Sequence, residues 1–539
     1  MPQKPLDLLV AILLFLTVFT AACSGQTEEQ ALENLRSLTR DGQLPPENVV
    51  ADLERRFAGK RTGALARLVH GRIRFDAGDF AGAAALLDTD VFRTKTRVAD
   101  EALWLRARAL EKAGNNAEAM KAAQSLINDY PQSIRAKDAK FIWARAGLAT
   151  ARLTEVPPIL AEYQATDPEA MLIIAKVYDA QQSSTLADTF YRQTYLSGPD
   201  TPAGLEAKAR LVQLGRSTDP QNDRDQILWA NTLFRSGHYA EASKAYDTEA
   251  GDRSGPFDAA ARLRYVTALS QSGRFADARN QLALFGGLSK EFGDAYRQLV
   301  LGYARAKQWQ QAKTTADEMR QRVTNVPLVA KTLIEAGQAA KDAKDNVDAS
   351  YFFTTAVAAY PNDIAVAPAQ FEAAWMQHDA KNFGVSSQMF IDHLARYADK
   401  DTSNRGKAGY WAARDSERTG KTAEACALYD GTIYRYGSNW YGYLAAQRIA
   451  AMRAAGQCQT TAAPNAAVAK AVANLRTVTV AAETAGQREM DLVAKADELS
   501  IVGLFDWAMD QINDAKRTAG NSPKVNLALA QYYRILMGI

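Results

Sequence analysis

One short turn recurs along this sequence and limits what it can fold into. A run ends in a small turn, an aromatic or apolar residue follows, and an Ala-rich run begins. The clearest copies are Asp76-Ala77-Gly78-Asp79-Phe80-Ala81-Gly82-Ala83, Lys112-Ala113-Gly114-Asn115-Asn116-Ala117-Glu118-Ala119, Arg235-Ser236-Gly237-His238-Tyr239-Ala240-Glu241-Ala242 and Gln271-Ser272-Gly273-Arg274-Phe275-Ala276-Asp277-Ala278. Gly78 to Gly114 and Gly237 to Gly273 are each 36 residues apart, close to the tetratricopeptide period of about 34 residues. Degenerate copies continue at Lys307, at Lys344 to Asn346, at Lys381-Asn382 and at Gly420. Glycine, or asparagine in its place, admits the left-handed conformation that ends a first helix. The small alanine after it lets a second helix pack closely on the first. Tyr130-Pro131 and Tyr360-Pro361 stop second helices at matching places. The expected fold is all-α, a tetratricopeptide-like solenoid forming a right-handed superhelix of helical hairpins. The alternative is a non-repetitive helical bundle, because the period blurs between residues 150 and 230.

The remaining features agree with an array. A chain of 539 residues exceeds one ordinary core, so it needs several domains or a repeat. Apolar residues at 47% and only 17 prolines suit many short helices with a buried stripe. The formal net charge of +3, with both signs interspersed, argues against nucleic acid and anionic membrane surfaces as partners. The β-like run Thr477-Val478-Thr479-Val480 lies in an Ala-rich stretch and reads as helix or loop.

The first residues form an address. Lys4 precedes the apolar run Leu8 to Thr20, which is short for a membrane span, and small residues lead to Cys23. Thr20-Ala21-Ala22-Cys23 resembles a bacterial lipobox, with Thr20 where leucine is usual and with Ser24 fitting outer-membrane sorting. The resemblance implies lipidation of Cys23, removal of residues 1–22 and a periplasmic protein anchored to the outer membrane. The alternative is an ordinary cleavable signal or an uncleaved anchor, with Cys23 a bystander. Of the other two cysteines, Cys426 falls on a second helix and Cys458 just beyond the next antiparallel helix, which places them to meet in an oxidising compartment. The alternative makes Cys426 a small buried hydrophobe and Cys458 a loop thiol.

Organisation changes near Gln457, where Thr460-Thr461-Ala462-Ala463-Pro464 interrupts helix. Residues 23–455 are therefore expected to form the superhelix and 456–539 a helical sub-domain.

The segment Asn439-Trp440-Tyr441-Gly442-Tyr443-Leu444-Ala445-Ala446-Gln447-Arg448-Ile449 resembles the end of the superhelical region in soluble lytic transglycosylases. Ala496-Asp497-Glu498-Leu499 and Gly503-Leu504-Phe505-Asp506-Trp507-Ala508 resemble that family's helical hairpin ahead of its lysozyme-like domain. The resemblance implies contact with peptidoglycan glycan strands. Trp440, Tyr441, Gly442, Tyr443, Leu444, Ala445 and Arg448 would then be mainly structural. The family's catalytic Glu-Ser motif and its Gly-Leu-Met-Gln run are absent from this chain, so no catalytic residue is assigned.

A search for other chemistry yields no site. His70, His238, His378 and His393 stand at no metal-ligand spacing, and phosphate loops and nucleophile elbows do not occur. No metal and no cofactor are expected. Trp229, Trp309, Trp375, Trp411 and Trp440 are candidates for stacking on sugars or gripping a peptide, although repeat helices usually bury such residues. The leading expectation is the peptidoglycan-associated superhelix of a transglycosylase-like envelope lipoprotein lacking its catalytic module. The alternative is a non-enzymatic tetratricopeptide scaffold for outer-membrane or envelope assembly, with envelope proteins as partners.

Overall fold

The computed structural model describes residues 27–39, 43–250, 258–285, 290–361, 363–397, 406–458, 465–477 and 482–536. Cys23 and the signal segment lie outside these residues, as do Val478 to Val480. All regular structure among the described residues is helical. In chain order the helices are α1 Glu28–Leu38, α2 Glu47–Arg56, α3 Arg61–Asp76, α4 Phe80–Leu86, α5 Val91–Lys95, α6 Ala99–Lys112, α7 Asn116–Asp129, α8 Ala136–Ala149, α9 Val156–Ile159, α10 Pro168–Ala180, α11 Ser184–Ser197 and α12 Pro202–Gln213. There follow α13 Asp223–Arg235, α14 Tyr239–Ala250, α15 Ala259–Gln271, α16 Phe275–Leu282, α17 Lys290–Arg305, α18 Trp309–Arg322, α19 Val326–Asp342, α20 Asn346–Ala359, α21 Ala367–Asp379, α22 Phe383–Tyr397, α23 Lys407–Arg418, α24 Thr422–Tyr436, α25 Trp440–Ala454 and α26 Ala466–Arg476. The last three are α27 Gln487–Ile501, α28 Phe505–Ala519 and α29 Pro523–Leu536.

The hairpins share one turn chemistry. Gly78 has φ +82°, and the next amide, Asp79 N–H, donates to the Arg74 carbonyl at 2.9 Å. This bond closes the end of α3 as a left-handed residue is expected to do. Gly114, Gly237, Gly273 and Gly420 adopt the same left-handed conformation. So do Lys307, Lys344 and Lys381, and also Ala151 and Gln182 in the stretch where the sequence period blurs. Five places after seven of these turns stand Ala83, Ala119, Ala242, Ala278, Ala312, Ala349 and Ala425, all fully buried where the second helix crosses the first. Side chains also repeat their partners: Arg135 with Glu101, Arg145 with Glu111 and Tyr351 with Asp317 each bridge residues 34 apart. Small-residue packing thus holds the two helices of a hairpin together, and polar bonds that recur with the repeat period join one hairpin to the next.

The chain divides into two compact units, one of Met1–Thr218 with Ala481–Ile539 and one of Asp219–Val480. This division cuts across the sub-domain 456–539 expected from the sequence. The reason is in the faces of the late helices. Val468, Ala471 and Leu475 of α26 are buried in the cluster of Phe390 and Tyr429, and Asn474 donates to the carbonyls of Leu394 and Ala395. That helix therefore completes unit 2. In contrast, Leu499, Leu504, Trp507 and Ile512 of the C-terminal segment share one core with Leu35, Leu65, Leu105 and Ile142. Gly503 makes the same left-handed turn between α27 and α28, so this hairpin docks on unit 1 as one more repeat.

Candidate functional site

Three first helices of unit 2 carry a run of aromatic rings. On α21, Phe371, Trp375 and His378 follow the i, i+4, i+7 spacing that puts them on one helix face. Trp375 stacks on His378 with ring centroids 4.8 Å apart and meets Trp411 of α23 at 5.5 Å. Trp411 lies beside Tyr410, and Tyr410 approaches Tyr441 of α25 at 6.0 Å. The Lys407 ammonium sits 4.1 Å from the Trp375 ring centre, an arrangement in which the cation is attracted to the ring quadrupole. Helices α21, α23 and α25 are thereby joined by one aromatic wall.

Its foundation is polar and buried. The Asp415 carboxylate is fully buried and accepts a hydrogen bond from Ser386 Oγ at 2.6 Å, and it faces His378 Nδ1 at 2.8 Å. Arg418 reaches its other oxygen at 3.3 Å. One carboxylate thus ties α21, α22 and α23 together. Ser386 donates to Asp415 rather than to His378, so this group is a structural tie and not a serine primed by an imidazole. One repeat further, Glu417 accepts from Tyr429 Oη at 2.9 Å and pairs with Arg414 and Arg448. Burial alone would raise the Glu417 pKa, but the hydrogen bonds from Arg448, Arg414 and Tyr429 hold it below the usual glutamate value. Burial first, and Glu417 second, raise that of Tyr429.

The segment 439–449 begins α25. Asn439 caps it by accepting from Gly442 N–H at 3.0 Å. Gly442 is required by space: a Cβ there would lie 1.9 Å from the Tyr436 carbonyl oxygen. Ala445 is buried, Leu444 and Tyr441 pack partly into the core, and Arg448 reaches Glu417. Trp440 and Tyr443 differ from these, being 64% and 51% exposed, with near-parallel rings 5.7 Å apart. They form an exposed pair on the same helix as Tyr441. Trp229, Trp309, Trp375 and Trp411 are half-buried against their cores. Cys426 and Cys458 are joined by a disulfide that fixes α24 to the turn after α25.

The helix-face spacing of Phe371, Trp375 and His378 was available in the sequence and marks the wall. Nothing in it marked Asp415 as the tie beneath. Unit 1 offers a groove of about 680 Å³ over Leu148, Leu172 and Ile173, but its rim charges are already paired, Arg145 with Glu111 and Glu169, and Lys176 with Glu206. Among the described residues no group of three or more His, Cys, Asp or Glu side chains is placed to hold a metal ion.

The family model for the tetratricopeptide repeat matches residues 68–134 and 227–284. The hairpins in these two stretches are tetratricopeptide repeats. The matched stretches hold the glycine turns at Gly78, Gly114, Gly237 and Gly273, whereas the helices bearing the aromatic wall lie outside them. No curated protein matches the chain. Two similar solved structures are the APC/C hetero-tetramer Cut9-Hcn1 and Naa15/Naa10 bound to HypK-THB. The first is 11% identical, with 87% of this chain and 89% of that chain covered and a TM-score of 0.23. The second is 11% identical over 94% and 96%, also with a TM-score of 0.23.

Proposed function

We propose that this protein is a non-enzymatic tetratricopeptide scaffold of the bacterial envelope that holds a partner protein against the aromatic wall of unit 2. The wall carries this reading. Ring faces, a neighbouring ammonium and the exposed pair Trp440 and Tyr443 suit an extended segment offering prolyl, aromatic or cationic side chains. The lipobox-like Thr20 to Cys23 supports an anchor in the outer membrane, and a disulfide between Cys426 and Cys458 suits an oxidising compartment. A photo-crosslinking residue in place of Tyr443 in cells is expected to trap a discrete envelope protein, and Trp440→Ala to reduce the yield. Adducts only with glycan, or an unchanged yield in Trp440→Ala, would overturn the reading. Labelling with a radioactive fatty acid, abolished in Cys23→Ser, tests the anchor.

The second reading, a transglycosylase-like superhelix that positions glycan strands, is favoured by the 439–449 segment, because exposed near-parallel rings also stack on sugars. It predicts that the full chain sediments with purified sacculi and that Trp440→Ala with Tyr443→Ala abolishes this. The chain alone is expected to release no anhydromuropeptides under either reading.

A further inference from the structure

Unit 1 contains a second, unrelated arrangement where α27 and α28 lie on the N-terminal repeats. Their apolar contacts are crossed by a seam of charged groups. Two consecutive acids on α6, Asp100 and Glu101, are 1% and 0% exposed. Asp100 accepts from Lys495 Nζ of α27 and from Ser133 Oγ, both at 2.5 Å. Glu101 accepts from Arg135 at 2.9 Å and from Gln511 Nε2 of α28 at 2.7 Å. Arg135 also pairs with Asp510 of α28. Glu498 of α27 accepts from Arg61 at 3.0 Å and from the Arg97 amide at 2.8 Å. Each of these bonds joins the C-terminal segment, or a residue it covers, to the repeats of α3 to α8.

Burying two adjacent carboxylates is costly unless donors match their oxygens. Here the match is incomplete. Asp100 Oδ1 and Gln511 Oε1 are both buried without a hydrogen-bond donor. The charged groups facing Glu101 are Arg135 ahead of α8, Asp100 on its own helix, Lys495 of α27 and Asp510 of α28, with Arg72 of α3 lying over Trp507 nearby. A proton on Glu101 removes one of two adjacent negative charges and adds a donor to a cluster with acceptors to spare.

We propose that α27 and α28 form a clasp over α6 that loosens as pH rises, with the buried pair Asp100 and Glu101 as its trigger. With the clasp open both acids face water and Glu101 titrates near its ordinary value of 4.5; closed, it is raised to about 7, burial being the largest cause. The closed state therefore binds the proton more tightly. Its advantage is complete below about pH 4.5 and is lost as pH rises through about 7.

Hydrogen–deuterium exchange on the full chain tests this, with rates corrected for their intrinsic pH dependence. Between about pH 5.5 and about pH 8, protection of the α27 and α28 amides is expected to fall about thirtyfold, since pH 5.5 lies roughly 1.5 units below the closed-state pKa and each unit is a factor of ten. Protection of α18 in unit 2 serves as the internal reference. Glu101→Gln is expected to flatten the response. Asp100→Asn, which removes the neighbouring negative charge, is expected to move the midpoint to lower pH. No fall in the wild type, an unchanged slope in Glu101→Gln or, should that variant fail to fold, an unmoved midpoint in Asp100→Asn would each overturn the proposal.

Discussion

Trp507 meets Trp104 edge to face, with ring centroids 5.1 Å apart and planes at 75°. One ring comes from α28 and the other from α6, so this contact seals the C-terminal hairpin to the N-terminal repeats. Arg72 lies 5.1 Å from the Trp507 ring centre, and Arg135 lies 4.2 Å from that of Trp104.

Trp507→Ala empties the middle of that core. A buried aromatic cut to alanine typically costs about 3–5 kcal/mol, and the loss should fall on unit 1. Urea unfolding followed by amide exchange is expected to show lower midpoints for α6 and α28 and an unchanged midpoint for α18.

Asp415→Ala removes the acceptor shared by Ser386 and His378 and leaves their polar atoms buried. Each orphaned group costs about 1–3 kcal/mol, so the wall should loosen. The expected readout is reduced thermal stability of unit 2, with faster exchange in α21 and α22 than in α17.

The bridge between Cys426 and Cys458 encloses residues separated by 32 in sequence. On the loop-entropy model such a loop contributes about 3–4 kcal/mol. Cys426→Ser is expected to lower the melting temperature of the oxidised protein and to abolish the mobility change seen on reduction in gels.

Two glycines should respond differently to alanine. At Gly78 the added Cβ meets nothing within 4 Å, so Gly78→Ala pays only the left-handed strain, of order 1 kcal/mol. At Gly442 the Cβ runs into the Tyr436 carbonyl, and Gly442→Ala is expected to cost more, about 1–3 kcal/mol. In the opposite sense, Lys344→Gly at φ +63° is expected to stabilise unit 2 by about 1 kcal/mol. Equilibrium denaturation of the three variants gives the ranking.

Lys344 also shows what the sequence made legible. The turn at Gly78 can be read because glycine advertises its conformation. Ala151 and Gln182 adopt that conformation without advertising it, held there by the packing of the helices on either side, and so the repeats around them read as a blur. The two-unit division was illegible for a related reason. Nothing local in α26 or α27 tells which core will take its apolar face; that choice depends on partners far along the chain, such as Leu394 for Asn474 and Asp100 for Lys495. The stacking candidates were legible as residue types, but only packing separates exposed Trp440 from half-buried Trp411. Asp415 and Glu101 look like any solvated helical carboxylate until three helices close around them.

Because the last three helices of unit 1, α27 to α29, are made after all of unit 2, a growing chain cannot finish that unit early. The repeats of α3 to α8 must wait, with Trp104 lacking its Trp507 neighbour, while the whole of unit 2 is synthesised and folds behind them. A polypeptide threaded through an export channel meets the same delay. Newly emerged molecules are therefore expected to need a holding chaperone at the seat of α28 until the final stretch arrives.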